Sequence, residues 1–265
     1  MNLGLAGKAC VVNGGSRGIG LAAARMLCEE DAAVLLVARG EEGLKTAADQ
    51  CAAAGGRVEW LALDATAPDA GERVVEECER RFGSLDVLVN NSGTSSVTPL
   101  EQLTDDDWEL QWGLSVMGPM RLMRAAAPRM AERRFGRIVN VASSSGKRPS
   151  ATNMAYSVGK AAQLSLSRAF ADLYVKQGVL VNAVAPGPVE SGLWMAEGGM
   201  ADQLAKQRGV SREEALEYQR SRVPIARYAT EEEIASVVVF LCSERASYVA
   251  GAAWSVDGGI VQVIV

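Results

Sequence analysis

Tyr156 and Lys160 are the residues of this chain whose types and spacing best suit proton transfer. They are four residues apart in a helical pattern, so both side chains lie on one face of the helix. A tyrosine hydroxyl has an ordinary pKa of about 10, and lowering it to about 7 costs about 4 kcal/mol. A lysine ammonium about 4 Å away supplies about that much at an effective dielectric constant of about 20. The pair could therefore exchange a proton at neutral pH, although the same spacing also occurs on ordinary helices.

The chain contains no histidine, which excludes several other kinds of catalytic site. Neither a Ser-His-Asp triad, nor a Cys–His pair, nor a His-ligated zinc site can form. The five cysteines have no C-x-x-C spacing and lie in apolar patterns, which predicts buried thiols in a reducing compartment. Acidic runs follow Thr104 and Thr230, and we interpret both as capped helix starts rather than metal sites.

A glycine-rich stretch near the N-terminus is typical of a loop that binds phosphate groups. Gly14, Gly18 and Gly20 lie between a predicted strand and a predicted helix, where the backbone can turn sharply and bring helix N–H groups to a pyrophosphate. Arg39 ends the next strand, where NAD-binding chains often have an acidic residue. Arg39 and Arg17 could instead pair with a 2′-phosphate. The sequence therefore favours NADP(H) over NAD(H).

Alternating patterns predict the elements that must position these residues. Seven short apolar runs are predicted as strands, at 9–12, 33–37, 58–62, 87–89, 137–141, 180–184 and 253–256. Helical patterns lie between them, at about 18–30, 41–54, 68–82, 104–133, 154–177 and 230–243. Apolar strands separated by helices predict an α/β fold, with a doubly wound parallel sheet covered on both faces. Because no linker or repeat divides residues 1–265, we predict one domain.

One stretch, about 188–228, contains no predicted strand. It includes the apolar residues Leu193, Trp194, Met195 and Met200. An insertion of this length between a strand and the next helix is usually functional. We predict a helical lid that closes over a substrate; a surface excursion without that role is the alternative.

Composition and charge narrow the choice of partners. The 27 basic and 32 acidic residues give a net charge of −5, and no basic run is interleaved with aromatic residues. An extended nucleic-acid surface is therefore not expected. The apolar stretches are much shorter than the roughly 18 residues that cross a bilayer, and the first residues lack the features of a secretion signal. We expect a cytoplasmic protein with neither a membrane nor a nucleic-acid partner.

Several motifs, in their order and spacing, resemble those of the short-chain dehydrogenase/reductase family. They are 13–20, Asn90-Asn91-Ser92-Gly93, Ser143 thirteen residues before Tyr156, Tyr156-x-x-x-Lys160, Asn182 to Gly187, and Val256-Asp257-Gly258-Gly259. The resemblance covers almost the whole chain. It implies a Rossmann-type sheet of about seven strands that binds a dinucleotide at the carboxyl ends of the strands. Within the family, the pattern is most similar to the 3-oxoacyl-thioester reductase branch.

The resemblance also implies roles for individual residues. Tyr156 would donate a proton to a carbonyl oxygen as hydride leaves the nicotinamide, or accept one in the reverse direction. Lys160 would lower the tyrosine pKa and hold the nicotinamide ribose, and Ser143 would hydrogen-bond the substrate oxygen. Asp64, at the end of the third strand, could hydrogen-bond the adenine amino group. The expected dinucleotide site comprises Gly14, Ser16, Arg17, Gly18, Ile19, Gly20, Arg39, Asp64, Ala65, Asn91, Gly93, Tyr156, Lys160, Pro186, Gly187, Val189 and Ser191.

Two positions depart from the family pattern. Asn13 replaces the usual threonine, and its longer amide could alter the phosphate loop and weaken dinucleotide affinity. Ser115 stands where many members have an asparagine that links the active-site lysine to a water-mediated proton path. A serine reaches less far, so we include Ser115 among the catalytic residues but expect slower proton transfer rather than loss of catalysis.

The function predicted from these features is NADP(H)-dependent reduction of a ketone to a secondary alcohol, with a 3-oxoacyl thioester as a candidate substrate. An alcohol or polyol dehydrogenase working oxidatively is one alternative, and a dinucleotide-binding sensor without turnover is another. Residues 94–97, 147–151 and 193–200 should line the substrate pocket, and Lys147 and Arg148 could meet an acidic carrier or a phosphate.

A homotetramer is the expected assembly, with a dimer as the alternative. The helices at 104–133 and 154–177 resemble the pair that forms four-helix interfaces in the family. We expect the apolar ending, 260–265, to be covered in the assembly; packing within its own subunit is the alternative.

Overall fold

The computed structural model describes residues 2–262 and contains one seven-stranded sheet. All neighbouring strands are parallel, in the order β3-β2-β1-β4-β5-β6-β7. The strands are β1 (Ala9–Asn13), β2 (Ala33–Ala38), β3 (Arg57–Ala62), β4 (Val87–Asn90), β5 (Gly136–Val141), β6 (Val179–Pro186) and β7 (Ala253–Val256). The predicted α/β fold with a doubly wound parallel sheet is confirmed. The strand order reverses between β1 and β4, and ligands of such sheets bind in the crevice at that point.

Eleven α-helices lie within residues 2–262. They are α1 (Gly18–Glu29), α2 (Glu41–Ala53), α3 (Ala70–Phe82), α4 (Asp105–Trp112), α5 (Gly118–Glu132), α6 (Ser144–Lys147), α7 (Met154–Tyr174), α8 (Gly192–Met195), α9 (Met200–Arg208), α10 (Arg212–Ser221) and α11 (Glu231–Cys242). None of the helices in this part of the chain combines the length and apolar character needed to cross a bilayer.

Helices cover both faces of the sheet because successive strand residues point to opposite sides. Val12 packs on one face with α1, α2 and α11, whereas Val11, its neighbour in β1, packs on the other face with α3, α5 and α7. Both valines are completely buried. The five cysteines are buried and unbridged. The two apolar layers hold the sheet rigidly and leave the loops at its carboxyl edge free to form a site.

The helical segment predicted over 104–133 is continuous from Asp105 to Glu132, but a π-helical turn, Gly113–Met117, separates α4 from α5. Pro119 has no N–H group, so it cannot donate the α-helical hydrogen bond to the carbonyl of Ser115. The N–H of Gly118 instead bonds to the carbonyl of Gly113, five residues earlier. Turns of this kind often mark functional positions. The predicted cap is present, since the Thr104 hydroxyl accepts a hydrogen bond from the first turn of α4.

The insertion at 188–228 carries α8, α9 and α10. Its two ends are held together by backbone hydrogen bonds, from Ala229 to the carbonyl of Pro188 at 3.0 Å and from Glu190 to the carbonyl of Ala229 at 2.9 Å. The insertion is therefore tied down at its base, directly beyond the end of β6. The name lid is used below for residues 188–228.

Candidate active site

A cleft of about 1530 Å³ lies at the carboxyl edge of the sheet, beneath the lid. Sites for a single small ligand usually have volumes of about 300–1,000 Å³, so this cleft has room for a dinucleotide and a second molecule. Among the residues predicted for the site, only Gly20 and Ser115 do not line the cleft. The chain thus brings together residues from the loops after six strands, β1 to β6, and from α7.

The glycine-rich loop after β1 is shaped by close backbone contact with the loop after β4. Gly14 has a φ of +80°, and a methyl group there would lie 2.7 Å from the backbone nitrogen of Ser92. A methyl group on Gly20 would overlap the carbonyl oxygen of Gly14, so Gly20 supports the loop from behind. No side chain caps the start of α1 at Arg17. The first N–H groups of α1 therefore remain available for a phosphate, and the loop fits a dinucleotide.

Asn13 holds the loops after β1 and β4 together. Its Oδ1 accepts a hydrogen bond from the Ser92 hydroxyl at 2.8 Å, and its backbone carbonyl accepts one from the backbone N–H of Asn91 at 2.9 Å. The Asn91 amide in turn donates to the carbonyl of Gly14 at 3.0 Å. Because Asn13 is only 1% exposed, most of its surface serves these internal contacts.

Charged residues surround the far end of the cleft, next to β2 and β3. Arg17 and Arg39 are both exposed there. Asp64 accepts hydrogen bonds from the backbone and hydroxyl of Thr66, both at 2.8 Å. The backbone bond from Thr66, with a smaller contribution from the charge of Arg39, holds the pKa of Asp64 below its usual range. Asp64 is therefore an ionised acceptor facing the cleft.

Glu231, which the sequence analysis treated only as part of a helix start, also lines the cleft. Its carboxylate would lie 3.5 Å from a methyl group on Gly18. Burial, with a further contribution from Glu232, raises the pKa of Glu231. The sequence carried no signal for this position, because only the packing of α11 against α1 brings it to the loop.

Ser143 and Tyr156 meet where β5 ends and α7 begins. Ser143 caps the short helix α6, with its hydroxyl accepting a hydrogen bond from the Ser145 backbone at 3.1 Å, and both Ser143 and Tyr156 line the cleft. Desolvation in the cleft raises the pKa of Tyr156, and the neighbouring Ser143 hydroxyl partly opposes that rise. Tyr156 is consequently protonated in this structure and able to donate.

Lys160 is almost completely buried and binds two oxygen atoms. Its Nζ donates to the carbonyl of Val141 at 2.8 Å and to Oε1 of Gln163 at 2.9 Å. It lies 5.7 Å from the centre of the Tyr156 ring. Burial lowers the pKa of Lys160 to about 7.

A net fall in the pKa of Tyr156, expected from the neighbouring Lys160, is not found in this structure. The shift runs the other way because burial disfavours the charged form of both groups, the phenolate of Tyr156 and the ammonium of Lys160. The ammonium group of Lys160 also donates hydrogen bonds to the carbonyl of Val141 and to Oε1 of Gln163, and these oxygens partly offset its positive charge.

Gln163 is the contact of Lys160 that sequence reasoning missed. It is completely buried, and its Nε2 has no hydrogen-bond partner within residues 2–262. The sequence does offer a signal for this contact, because Gln163 lies three residues after Lys160 and therefore on the same buried face of α7. Gln163 orients the ammonium of Lys160 from one helical turn away.

Ser115 lies in the π-helical turn, behind the helix that carries Lys160. A methyl group on Gly159 would be 3.3 Å from the Ser115 hydroxyl, so the two residues are in direct contact. Ser115 is 1% exposed, and its hydroxyl has no partner in the described part of the chain. Ser115 therefore contacts the residue before Lys160 in α7 and does not line the cleft.

The predicted substrate pocket is only partly correct. Val97, Trp194 and Met200 line the cleft, whereas Met195 does not. The Nζ of Lys147 donates to the carbonyl of Ala253 at 2.6 Å and to the Ser255 hydroxyl at 2.9 Å, which removes this lysine from the site. Its neighbour Arg148 remains in the lining.

Comparison with known proteins agrees with this geometry. The family model described as enoyl-(acyl carrier protein) reductase matches residues 14–261. A 3-oxoacyl-(acyl-carrier-protein) reductase of Thermotoga maritima is 32% identical, over 97% of this chain and 99% of the relative. The galactitol 2-dehydrogenase of Agrobacterium fabrum is 33% identical, over 95% and 96%. The structure of L-sorbose reductase from Gluconobacter frateurii, complexed with NADPH and L-sorbose, has a TM-score of 0.92 at 37% identity, with both chains fully covered.

Proposed function

Because this chain belongs to the short-chain dehydrogenase/reductase family of NAD(P)-dependent oxidoreductases that act on CH–OH and C=O groups, we propose that it reduces a ketone to a secondary alcohol with NADPH. The observation that carries the proposal is the meeting of Ser143, Tyr156 and Lys160 in one cleft with the glycine-rich loop. Tyr156 stays protonated there, as a proton donor for reduction must be.

The residues of the loops would hold the dinucleotide along the carboxyl edge of the sheet. The N–H groups at the start of α1 would bind its pyrophosphate, and Asp64 would accept from its adenine amino group. Asn91 and Gly93 would contact the adenosine side, and Gly187 and Val189 the nicotinamide side. When bound, the nicotinamide supplies the hydride that is added to the carbonyl carbon.

The chain's own side chains would manage the carbonyl oxygen and its proton. Ser143 hydrogen-bonds the oxygen, and Tyr156 donates its phenolic proton to that oxygen as negative charge develops there. The ammonium of Lys160, held by Val141 and Gln163, stabilises the phenolate that remains. A proton from solvent then restores Tyr156.

Ser115→Asn is expected to raise the turnover number by up to about tenfold and to reduce its solvent isotope effect, because an amide reaches further toward Lys160 than a hydroxyl does. Gly159 packs closely against Ser115, since a methyl group on Gly159 would lie 3.2 Å from the Ser115 Cβ, so neighbouring atoms must shift to accommodate the asparagine. Proton-transfer groups contribute about 10²–10⁴-fold, and a residue that acts indirectly contributes less. Steady-state rates in water and heavy water test this, with Ser115→Ala as the control that removes the hydroxyl. An unchanged rate and isotope effect in Ser115→Asn would refute a proton path through this position.

Preference for NADPH is proposed to come from Arg39 and Arg17, which are exposed at the end of the cleft beside β2. Arg39→Ala should lower the ratio of kcat/KM for NADPH to that for NADH by about tenfold, because one charge-assisted contact to the 2′-phosphate is lost. Arg25→Ala, an exposed position on α1 outside the cleft, is the matched control. A wild-type enzyme that uses NADH as well as NADPH would contradict the assignment.

The substrate class is proposed as a ketone with a 3-oxoacyl thioester among the candidates, which the Thermotoga maritima relative supports by its name. The similarity to galactitol 2-dehydrogenase supports oxidation of a polyol as a second candidate reaction. NADPH consumption with a panel of ketones, and NADP reduction with a panel of polyols, test both. Tight NADPH binding without turnover of any compound would instead favour a dinucleotide sensor.

We further propose that the chain is a homotetramer in a reducing, cytoplasmic environment. Four large apolar side chains on α4 and α7 are 42–62% exposed, namely Leu110, Trp112, Val158 and Leu173. Exposed apolar groups on neighbouring helices favour a subunit interface. The last residues of the apolar ending, 263–265, lie outside the described residues. Light scattering coupled to size exclusion measures the mass directly.

A further inference from the structure

Cationic side chains are concentrated in the cleft although the protein as a whole is acidic. The net charge of the chain is −5, yet five arginines and Lys160 line the cleft, against two carboxylates from the described residues 2–262, Asp64 and Glu231. A concave surface of one sign raises the local concentration of ligands of the opposite sign. The cleft is therefore selective for anions.

Only two of the five arginines belong to the dinucleotide end. Arg17 and Arg39 follow β1 and β2, whereas Arg148 follows β5, and Arg208 and Arg222 lie on the lid. Both carboxylates of the cleft are likewise associated with the dinucleotide end, through Arg39 and the glycine-rich loop. Away from the dinucleotide end, the lining thus includes three arginines, two of them on the lid, and, within the described residues, no carboxylate.

Arg208 and Arg222 are positioned by an aromatic ring rather than by an acidic partner. Their guanidinium carbons lie 3.6 Å and 5.7 Å from the centre of the Tyr218 ring. Stacking restricts a guanidinium while leaving its N–H donors free. Other arginines of this region are paired with carboxylates: Arg212 with Asp202, Arg220 with Glu217, and Arg227 with Glu233. No such pair involves Arg208 or Arg222 within residues 2–262.

The surface beneath these arginines is apolar. Tyr218 packs with Leu204, Val97 and Trp194, and the backbone N–H of Val97 donates to Gln203 of α9 at 2.8 Å. The lid end of the cleft therefore has an apolar wall and a cationic rim. This combination suits a molecule with an apolar body and an anionic group remote from its reacting carbonyl.

We propose that the ketone substrate carries an anionic group, a carboxylate or a phosphate, that binds Arg208 and Arg222 on the lid. This inference rests on the proposed ketone reduction and specifies its substrate class. The three-oxygen geometry of a phosphate and the two-oxygen geometry of a carboxylate both match the fork of an arginine. Arg148, after β5, also lines the cleft and adds to its positive potential.

Two matched pairs of ketones test the proposal on the full-length enzyme with NADPH. The first pair is a 3-oxo acid and its methyl ester, and the second is a 3-oxoacyl-CoA and the N-acetylcysteamine thioester of the same acyl chain. We expect the anionic member of at least one pair to have a kcat/KM about tenfold higher, mainly through a lower KM, because two exposed charge pairs each contribute modestly. The pair in which the preference occurs identifies the carboxylate or the phosphate as the anion.

The double variant R208Q/R222Q should reduce this preference to a ratio near one, and about 0.5 M salt should weaken it in the wild type. Lys206→Gln is the matched control. Lys206 is an exposed cation on α9, the helix that carries Arg208, and it does not line the cleft. Equal thermal midpoints for the variants and the wild type exclude unfolding of the lid as the cause. Equal kcat/KM within both pairs, or a preference that survives in the double variant, would overturn the proposal.

The experiment also distinguishes an error in this proposal from an error in the proposed ketone reduction. If no ketone is reduced, quenching of bound NADPH fluorescence by each member of the two pairs still reports its binding. A preference for the anionic members that depends on Arg208 and Arg222 would then support the anion site without the reaction. Equal binding of the anionic and neutral members would reject the site as well.

Discussion

Tyr156→Phe is expected to lower kcat for ketone reduction by about 10²–10⁴-fold while leaving the affinity for NADPH nearly unchanged. The substitution removes only the phenolic hydroxyl, which is the proton donor of the proposed reaction, and contributions of that size are usual for such groups. Lys160 cannot replace it, because its Nζ is bound to Val141 and Gln163. Loss of NADPH absorbance measures kcat, and fluorescence titration measures dinucleotide binding.

Tyr174→Phe is the matched control for this prediction. Tyr174 ends the same helix and stacks on Phe170 with ring centres 6.1 Å apart, on the sheet-facing side and outside the cleft. Its variant should keep the wild-type kcat. If Tyr156→Phe retained more than about a tenth of the wild-type activity, Tyr156 would not be the proton donor, even in an enzyme that reduces ketones.

Lys160→Met is expected to lower kcat by a similar factor and, at the same time, to stabilise the fold at about pH 6. Burial lowers the pKa of Lys160 from its ordinary value of 10.5 to about 7, so the folded protein is less able than the unfolded chain to keep this proton. Below about pH 7 both states are protonated, and the full cost of the buried charge, a few kcal/mol, is present. Methionine has a similar length and no charge, so it avoids that cost.

The benefit of Lys160→Met should shrink as the pH rises. Between about pH 7 and 10 the folded state loses the proton first, and the wild type regains stability relative to the variant. The variant also leaves the oxygens of Val141 and Gln163 without their donor, at a cost of about 1–3 kcal/mol. We therefore expect a net stabilisation of about 1–3 kcal/mol at about pH 6 that disappears or reverses near pH 10.

Urea unfolding of wild type and variant across this pH range measures the difference. Lys176→Met is the control, since Lys176 is exposed just beyond α7 and its replacement should change stability by less than about 0.5 kcal/mol at every pH. A variant that is less stable than the wild type at about pH 6 and relatively more stable at higher pH would contradict the burial of a charge at residue 160.

The predicted and observed strands and helices agree because their signals come from residues close together in the chain. Except for β3, the strands from β1 to β6 are almost entirely buried on both faces, so their apolar runs are visible in the sequence. The caps at Thr104 and Thr230 depend only on residues three positions apart. Within the helical segment predicted over 104–133, the π-helical turn was not predicted, because it depends on how a single proline, Pro119, changes the hydrogen bonding of the preceding turn.

The electrostatics of the site depended on contacts that the sequence does not contain. The spacing of Tyr156 and Lys160 predicted that they share a helix face, but the sign of the tyrosine pKa change was wrong. Spacing says nothing of burial, and burial dominates the pKa values of both groups. Packing of α7 on the sheet likewise brings Gln163 to Lys160. Packing of α6 places Lys147 against β7 and outside the cleft.

By itself, the sequence determined the order of strands and helices, the glycine-rich loop and the presence of a tyrosine and lysine one turn apart, because each depends on residues close together in the chain. Tertiary structure alone decided which residues share the cleft, how deeply Lys160 is buried, and that Arg208 and Arg222 stack beside Tyr218 on the lid. The physical reason is that desolvation and charge interactions act through space over a few ångströms, and the spacing of residues along the chain does not fix which groups come that close.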